Sequence, residues 1–192
     1  MAVKVGEGDA LIVVDVQNDF LPGGALAVPE GDAVVAPLAR AIRLFESRQT
    51  PVVFTRDWHP LNHCSFQTEG GPWPVHCVQG THGADFAEGL PVPRDALIVS
   101  KAFDPKREAY SGFDGEPKLD AWLSARGVKR VFVGGLATDY CVRATALDAR
   151  TAGFEVYLLA DAVRGVAPET TEKALREMKE AGVVMTTTEE LA

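Results

Sequence analysis

The sequence predicts an α/β fold in which a mainly parallel sheet of about six strands lies between two layers of helices. Three observations predict it. Short runs of Val, Ile and Leu recur along the chain and alternate with stretches of helical spacing. The runs are continuous, not alternating, which marks strands covered on both faces. The intervening helices supply the crossovers that parallel pairing requires.

The first strand is ALIVV, residues 10–14, and it ends at Asp15. Val34, Leu38, Ile42 and Phe45 then recur at helical spacing between Asp32 and Gln49. Pro37 must sit in the first turn of that helix or bend it. PVVFT (51–55) is the second strand, and ALIVS (96–100) is the third, ending at Lys101. Leu119, Trp122 and Leu123 mark a helix stopped by Gly127. VKRVFVGG (128–135) is the fourth strand, after which a helix opens near Asp139. EVYLLA (155–160) is the fifth, followed by a helix around Thr170–Lys179 and a short sixth strand, VVMTT (183–187). Strand order does not follow from these patterns.

Between Asp57 and Arg94 the chain is broken by Pro60, Gly70, Gly71, Pro72, Pro74, Gly80, Gly83, Gly89, Pro91 and Pro93. An insertion of this length is functional or disordered. Trp58 and Trp73 argue for order, and all four histidines of the chain fall here. The expected organisation is one domain, residues 1–192, with a binding loop inserted at about 57–94.

Composition narrows the function classes. The 192 residues are 46% hydrophobic and 24% charged, enough for a sizeable core. Asp and Glu total 27 against 19 Lys and Arg, a formal charge of −8, so nucleic acid is not an expected partner. The opening MAVKVGEGDA lacks the basic and apolar regions of a signal peptide. No apolar run approaches the roughly 18 residues that span a bilayer, so no membrane partner is expected and a cytoplasmic location is. Three cysteines, Cys64, Cys77 and Cys141, are odd in number and irregularly spaced. They read as reduced thiols, not as a disulfide framework.

Ligand crevices of parallel sheets lie beyond the carboxyl ends of the strands. Strand one delivers Asp15 there, strand two Asp57 and strand three Lys101, while GGLATDYC after strand four places Cys141 in the first turn of the next helix. Each has a plainer reading alone: a buried small thiol, a solvated lysine, an acid capping a helix. Together they assemble a hydrolytic chemistry. Thr138 or Asp139 caps the helix, and its unpaired N–H groups lower the pKa of the Cys141 thiol and hold an oxyanion. Asp15 takes the thiol proton and returns it to a leaving nitrogen, while Lys101 keeps Asp15 ionised. The reading is amide hydrolysis of a small molecule.

DWH (57–59) sets a carboxylate and an imidazole two residues apart, with His76 17 residues beyond His59. Asp57, His59 and His76 suit one divalent ion such as Zn, Fe or Mn. Taken singly these histidines read as surface loop residues, and His82 beside Gly83 stays structural. Trp73, flanked by prolines, reads as a ring-stacking wall, and Phe20 as a core aromatic.

VDVQNDFLPGGALAV, TRDWHPLNHCSF, WPVHCVQGTHGADF, AYSGF and GGLATDYCVRATALDA occur in this order through the chain. On these motifs the sequence resembles the nicotinamidases of the isochorismatase-like cysteine hydrolase superfamily. The resemblance implies hydrolysis of nicotinamide, and of pyrazinamide, through a thioester on Cys141, with Asp15 and Lys101 completing a triad. It implies an oxyanion hole of the Ala137 and Cys141 N–H groups beside a cis peptide at Leu136-Ala137. It implies a metal on Asp57, His59 and His76, with Phe20, Trp73, Leu136 and Ala137 around the substrate ring. His63 is placed behind the ligands and not among them. Isochorismatases lack the thiol, and the related ureido and carbamoyl amidases lack the Asp-x-His pair. Such an amidase is the first rival, and a non-catalytic metal- or nicotinamide-binding protein the second. The expected partner is a small molecule, with room for a homo-oligomer. The expected setting is NAD salvage.

Overall fold

The computed structural model describes residues 2–192. Its elements run β1 (Asp9–Val14), α1 (Val35–Ser47), β2 (Val52–Asp57), β3 (Leu97–Lys101), α2 (Leu119–Ala125), β4 (Arg130–Leu136), α3 (Arg143–Thr151), β5 (Glu155–Arg164), α4 (Pro168–Glu180) and β6 (Val184–Thr186). All six strands join one sheet in the order β3-β2-β1-β4-β5-β6. Every pairing is parallel. The chain therefore winds outward from β1 to one edge, returns across it, and winds to the other. The reversal falls between β1 and β4, the position where open parallel sheets leave a crevice.

Alternation along the strands sends side chains to two cores. Leu11, Val13, Phe54 and Phe132 pack with Leu38, Ile42 and Phe45 of α1 on one face. Ile12, Val14, Val53 and Val133 pack with Leu123 of α2, Ala146 of α3 and Met178 of α4 on the other. The result is a three-layer α/β/α sandwich, as the unbroken apolar runs predict. Pro37 lies in the first turn of α1, where its missing N–H costs nothing. Pro168 opens α4 in the same way.

The insertion after β2 carries two short 3-10 turns, Gln67–Glu69 and His82–Ala84, and no longer element. Its backbone groups are satisfied by isolated bridges, His59 with Val78, Phe66 with Trp73, and Phe86 with Gln17. Cys77, Ala84, Ala87 and Leu90 anchor it to the α1-side core. No helix among the described residues is long and apolar enough to cross a membrane.

Candidate active site

The carboxyl ends of β1, β2, β3 and β4 bring the four sequence-predicted polar groups together. Asp57 and Lys101 are direct register partners at the ends of β2 and β3. Asp15 follows β1 with a left-handed φ of 49°, a turn that a non-glycine residue adopts only when its surroundings enforce it. Its Oδ1 accepts a hydrogen bond from Thr55 Oγ1 at 2.7 Å. Lys101 Nζ lies 2.7 Å from Asp15 Oδ2, 2.5 Å from Asp57 Oδ1 and 3.3 Å from Cys141 Sγ. One ammonium thus bridges both acids and the thiol. Asp15 and Lys101 are 0% exposed and Cys141 6%.

Burial without bulk water sets the proton affinities. Burial alone would lower the Lys101 ammonium, but Asp15 and Asp57 hold it well above its ordinary value. Burial works to raise Asp57, yet Lys101 and His59 keep it well below the usual carboxylate range. Burial raises Asp15, with Lys101 opposing. The Cys141 thiol corrects the expectation drawn from its helix position: burial, with help from Asp15 and Asp57, pushes it well above the usual value despite Lys101. Desolvation here outweighs the helix end. The sulfur rests as a thiol beside Asp15, whose own affinity for a proton burial also raises.

The local backbone differs from the predicted cap as well. Residues Thr138–Val142 form a π-helical turn ahead of α3, with Ala137 at the cap position and no side chain capping it. Thr138 Oγ1 is buried without a partner. Asp139 instead accepts from Val166 N at 2.9 Å, Ala167 N at 3.3 Å and Thr170 Oγ1 at 2.6 Å, so it ties the start of α4 to the turn holding Cys141. The Leu136-Ala137 peptide is cis.

Asp57, His59 and His76 offer ligand atoms within 4.8 Å of one another, all three residues buried. His59 Nδ1 faces the Ala102 carbonyl at 3.0 Å and His76 Nδ1 the Pro74 carbonyl at 2.7 Å. A carbonyl can only accept, so each Nδ1 carries the proton and each Nε2 presents a lone pair. Both Nε2 atoms approach Asp57 Oδ2, at 3.5 and 3.8 Å, and that of His59 is buried with no hydrogen-bond partner. This donor set fits a divalent cation. His63 stacks on His59 with centroids 4.3 Å apart, but its Nε2 donates to the Arg107 carbonyl at 2.9 Å and its Nδ1 meets Ser65 Oγ at 2.7 Å. Neither nitrogen is left to ligate. His82 contributes its carbonyl to Asn18 and takes no part in the cluster.

A cleft with about 540 Å3 of empty space, counting its open mouth, joins the thiol to the imidazoles. Phe20, Trp73, Leu136 and Ala137 line it, as do Asp57, His59, His76 and Cys141. Sequence reasoning missed Tyr110 and Tyr140 as lining residues, although they stand in the AYSGF and GGLATDYC motifs. The Trp73 and Tyr140 rings meet edge-on at 5.3 Å, and Trp73 Nε1 donates to Tyr110 Oη at 3.3 Å. It also missed Gln17, whose buried amide donates to the Asp57 and Ala84 carbonyls and accepts from Asp57 N, each at 2.9 Å. Gln17 clamps the insertion to the end of β1. A polar residue in the apolar-strand overhang was the one available signal for it.

The molecule is thus a parallel α/β sandwich whose polar cluster fills the crevice at its topological switch point. The chain belongs to the isochorismatase family, whose domain matches residues 9–190. It is similar to the nicotinamidase/pyrazinamidase of Mycobacterium tuberculosis, 45% identical over 91% of this chain and 96% of that protein. Among solved structures it is similar to the pyrazinamidase of Pyrococcus horikoshii in complex with zinc, 56% identical with a TM-score of 0.90 over 94% of this chain and 99% of that one. An L. infantum protein in complex with nicotinate superposes with a TM-score of 0.93 at 40% identity, covering 100% of this chain and 99% of that one.

Proposed function

We propose that this chain is an amidohydrolase that converts nicotinamide to nicotinate and ammonia, and that it accepts pyrazinamide. The observation that carries the reading is Cys141 Sγ held 3.3 Å from an ammonium that is itself 2.7 Å from Asp15, at one end of a cleft with aromatic walls. The names of the nicotinamidase relatives support the substrate.

In this reading Cys141 Sγ adds to the carboxamide carbon as its proton passes to Asp15. The oxyanion rests on the N–H groups of Ala137 and Cys141. Asp15 returns the proton to nitrogen, the C–N bond breaks, and ammonia leaves a thioester on Cys141. Water then adds to the thioester with Asp15 taking its proton, and the C–S bond breaks as sulfur is reprotonated. Lys101 holds Asp15 in line and offsets charge developing on sulfur. Phe20, Trp73, Leu136 and Ala137 fix the ring. Asp57, His59 and His76 would hold one divalent ion, Zn, Fe or Mn, which supplies a Lewis-acid anchor for the ring nitrogen. We place the reaction in cytoplasmic pyridine nucleotide salvage.

The test is ammonia release from nicotinamide by Cys141→Ala, expected to fall by several orders of magnitude while nicotinamide still binds. Full ammonia release by that variant rules out the covalent route. Equal turnover of nicotinamide and benzamide, which lacks the ring nitrogen, would move the assignment to the ureido or carbamoyl amidases.

A further inference from the structure

One charged residue of the cleft has no part in the chemistry above. Glu108 lines the same cavity, half-buried, on the loop that follows β3. Its Oε1 accepts only the N–H of the next residue, Ala109, at 2.9 Å. No cation among the described residues pairs with it. Within the cavity it stands beside Tyr110 and the metal-site residues Asp57, His59 and His76, which line the same walls. Its carboxylate therefore sets a charge that no protein cation neutralises beside whatever the cavity binds. The benefit open to it lies in what it does to ligands.

The proposed reaction makes that benefit specific. Its substrate is a neutral amide and its product an anion of nearly the same shape. Lys101 and a divalent ion on Asp57, His59 and His76 together carry three positive charges. Ionised Asp15 and Asp57 return two negative ones, so these groups keep a net attraction for an anion. Asp19, the next acid, is absent from the cavity lining, and its carboxylate accepts from the N–H groups of Ala25 and Cys77. Shape cannot separate a carboxamide from a carboxylate, but charge can. We propose that Glu108 is a specificity-determining residue that cancels this excess, so that the pocket favours a neutral pyridine carboxamide and releases the anionic acid. This inference rests on the amidase reading for its substrate, yet it concerns ligand charge alone.

Its test uses two ligands that undergo no reaction. Nicotinate and 3-nitropyridine are flat, similar in shape, and differ by one charge. Their dissociation constants are measured by calorimetry on metal-loaded wild type, Glu108→Gln and Glu108→Asp. The expected result is that Glu108→Gln tightens nicotinate on the order of fivefold relative to 3-nitropyridine, the scale of one partly screened charge across a pocket. Glu108→Asp, which keeps the charge, stays near the wild-type ratio. If both ligands shift together in Glu108→Gln, the residue acts through shape and the proposal falls. A Glu108→Asp ratio matching that of Glu108→Gln overturns it as well. Wild-type turnover of nicotinamide is assayed separately: its absence overturns the amidase reading, while the charge comparison still decides the role of Glu108.

Discussion

At Lys101 a single ammonium, closed off from solvent, meets two carboxylates and a thiol. Lys101→Met fills the same space without the charge and leaves Asp15 and Asp57 uncompensated beside each other. The expected loss is about 3–5 kcal/mol in urea unfolding, the cost of breaking a buried pair from one side. Loss below about 1 kcal/mol would mean that the acids take up protons freely when unpaired. Asp15 carries a second prediction. Burial raises its pKa above 3.8, and the proposed base must be ionised, so kcat/KM falls as pH drops through that raised value. Thr55→Val removes a hydroxyl donor from the carboxylate and pushes the acidic limb to still higher pH. A limb that does not move on that substitution takes Asp15 out of the base role.

Elements place these residues, and two contacts decide how well. Gly135 pairs with Val14 across β4 and β1, with a φ of 124°. A Cβ there would stand 2.1 Å from the Val14 carbonyl oxygen, one residue before Asp15. Gly135→Ala is expected to cost about 3 kcal/mol, because the obstacle is backbone and the φ disfavours any side chain. Its thermal unfolding against wild type checks this, and an unchanged midpoint would show that the two strands separate easily. Gln17 joins β1 to the insertion through three hydrogen bonds of one amide. Gln17→Ala strands buried backbone groups at Asp57 and Ala84, a loss of about 2–4 kcal/mol. Wild-type stability in that variant would mean that water replaces the amide fully.

For the whole molecule the insertion is the part with the least regular structure and the most polar cargo. It is held by short bridges, a modest apolar anchor and, in the proposed holoenzyme, a cation on Asp57, His59 and His76. An ion that binds only the folded chain stabilises it by about 2.7 kcal/mol at a hundred times its dissociation constant. For a domain of this size chelation should lower Tm by roughly 5–10 °C, and readdition of the metal should restore it. A scan indifferent to chelator would remove the cation from the account of stability.

What the sequence determined by itself was periodic or local: apolar runs that must be strands covered twice, helical spacing between them, and polar residues such as Asp15 and Lys101 just where those runs stop. The side of the sheet on which chemistry sits follows from that alone, because every parallel strand ends at the same edge. Motif order was enough to bring Cys141, Asp57, His59 and His76 under one resemblance. The tertiary structure decided everything that depends on distance. It set the strand order that makes β1 and β4 neighbours, the tautomers that leave His63 without a free lone pair, and Asp139 as a tie to α4 in place of a cap. It also decided the proton affinity of Cys141. A helix start suggests an acidic thiol, but burial beside Asp15 and Asp57 reverses the sign, and neither burial nor a neighbour from another strand is written in local sequence.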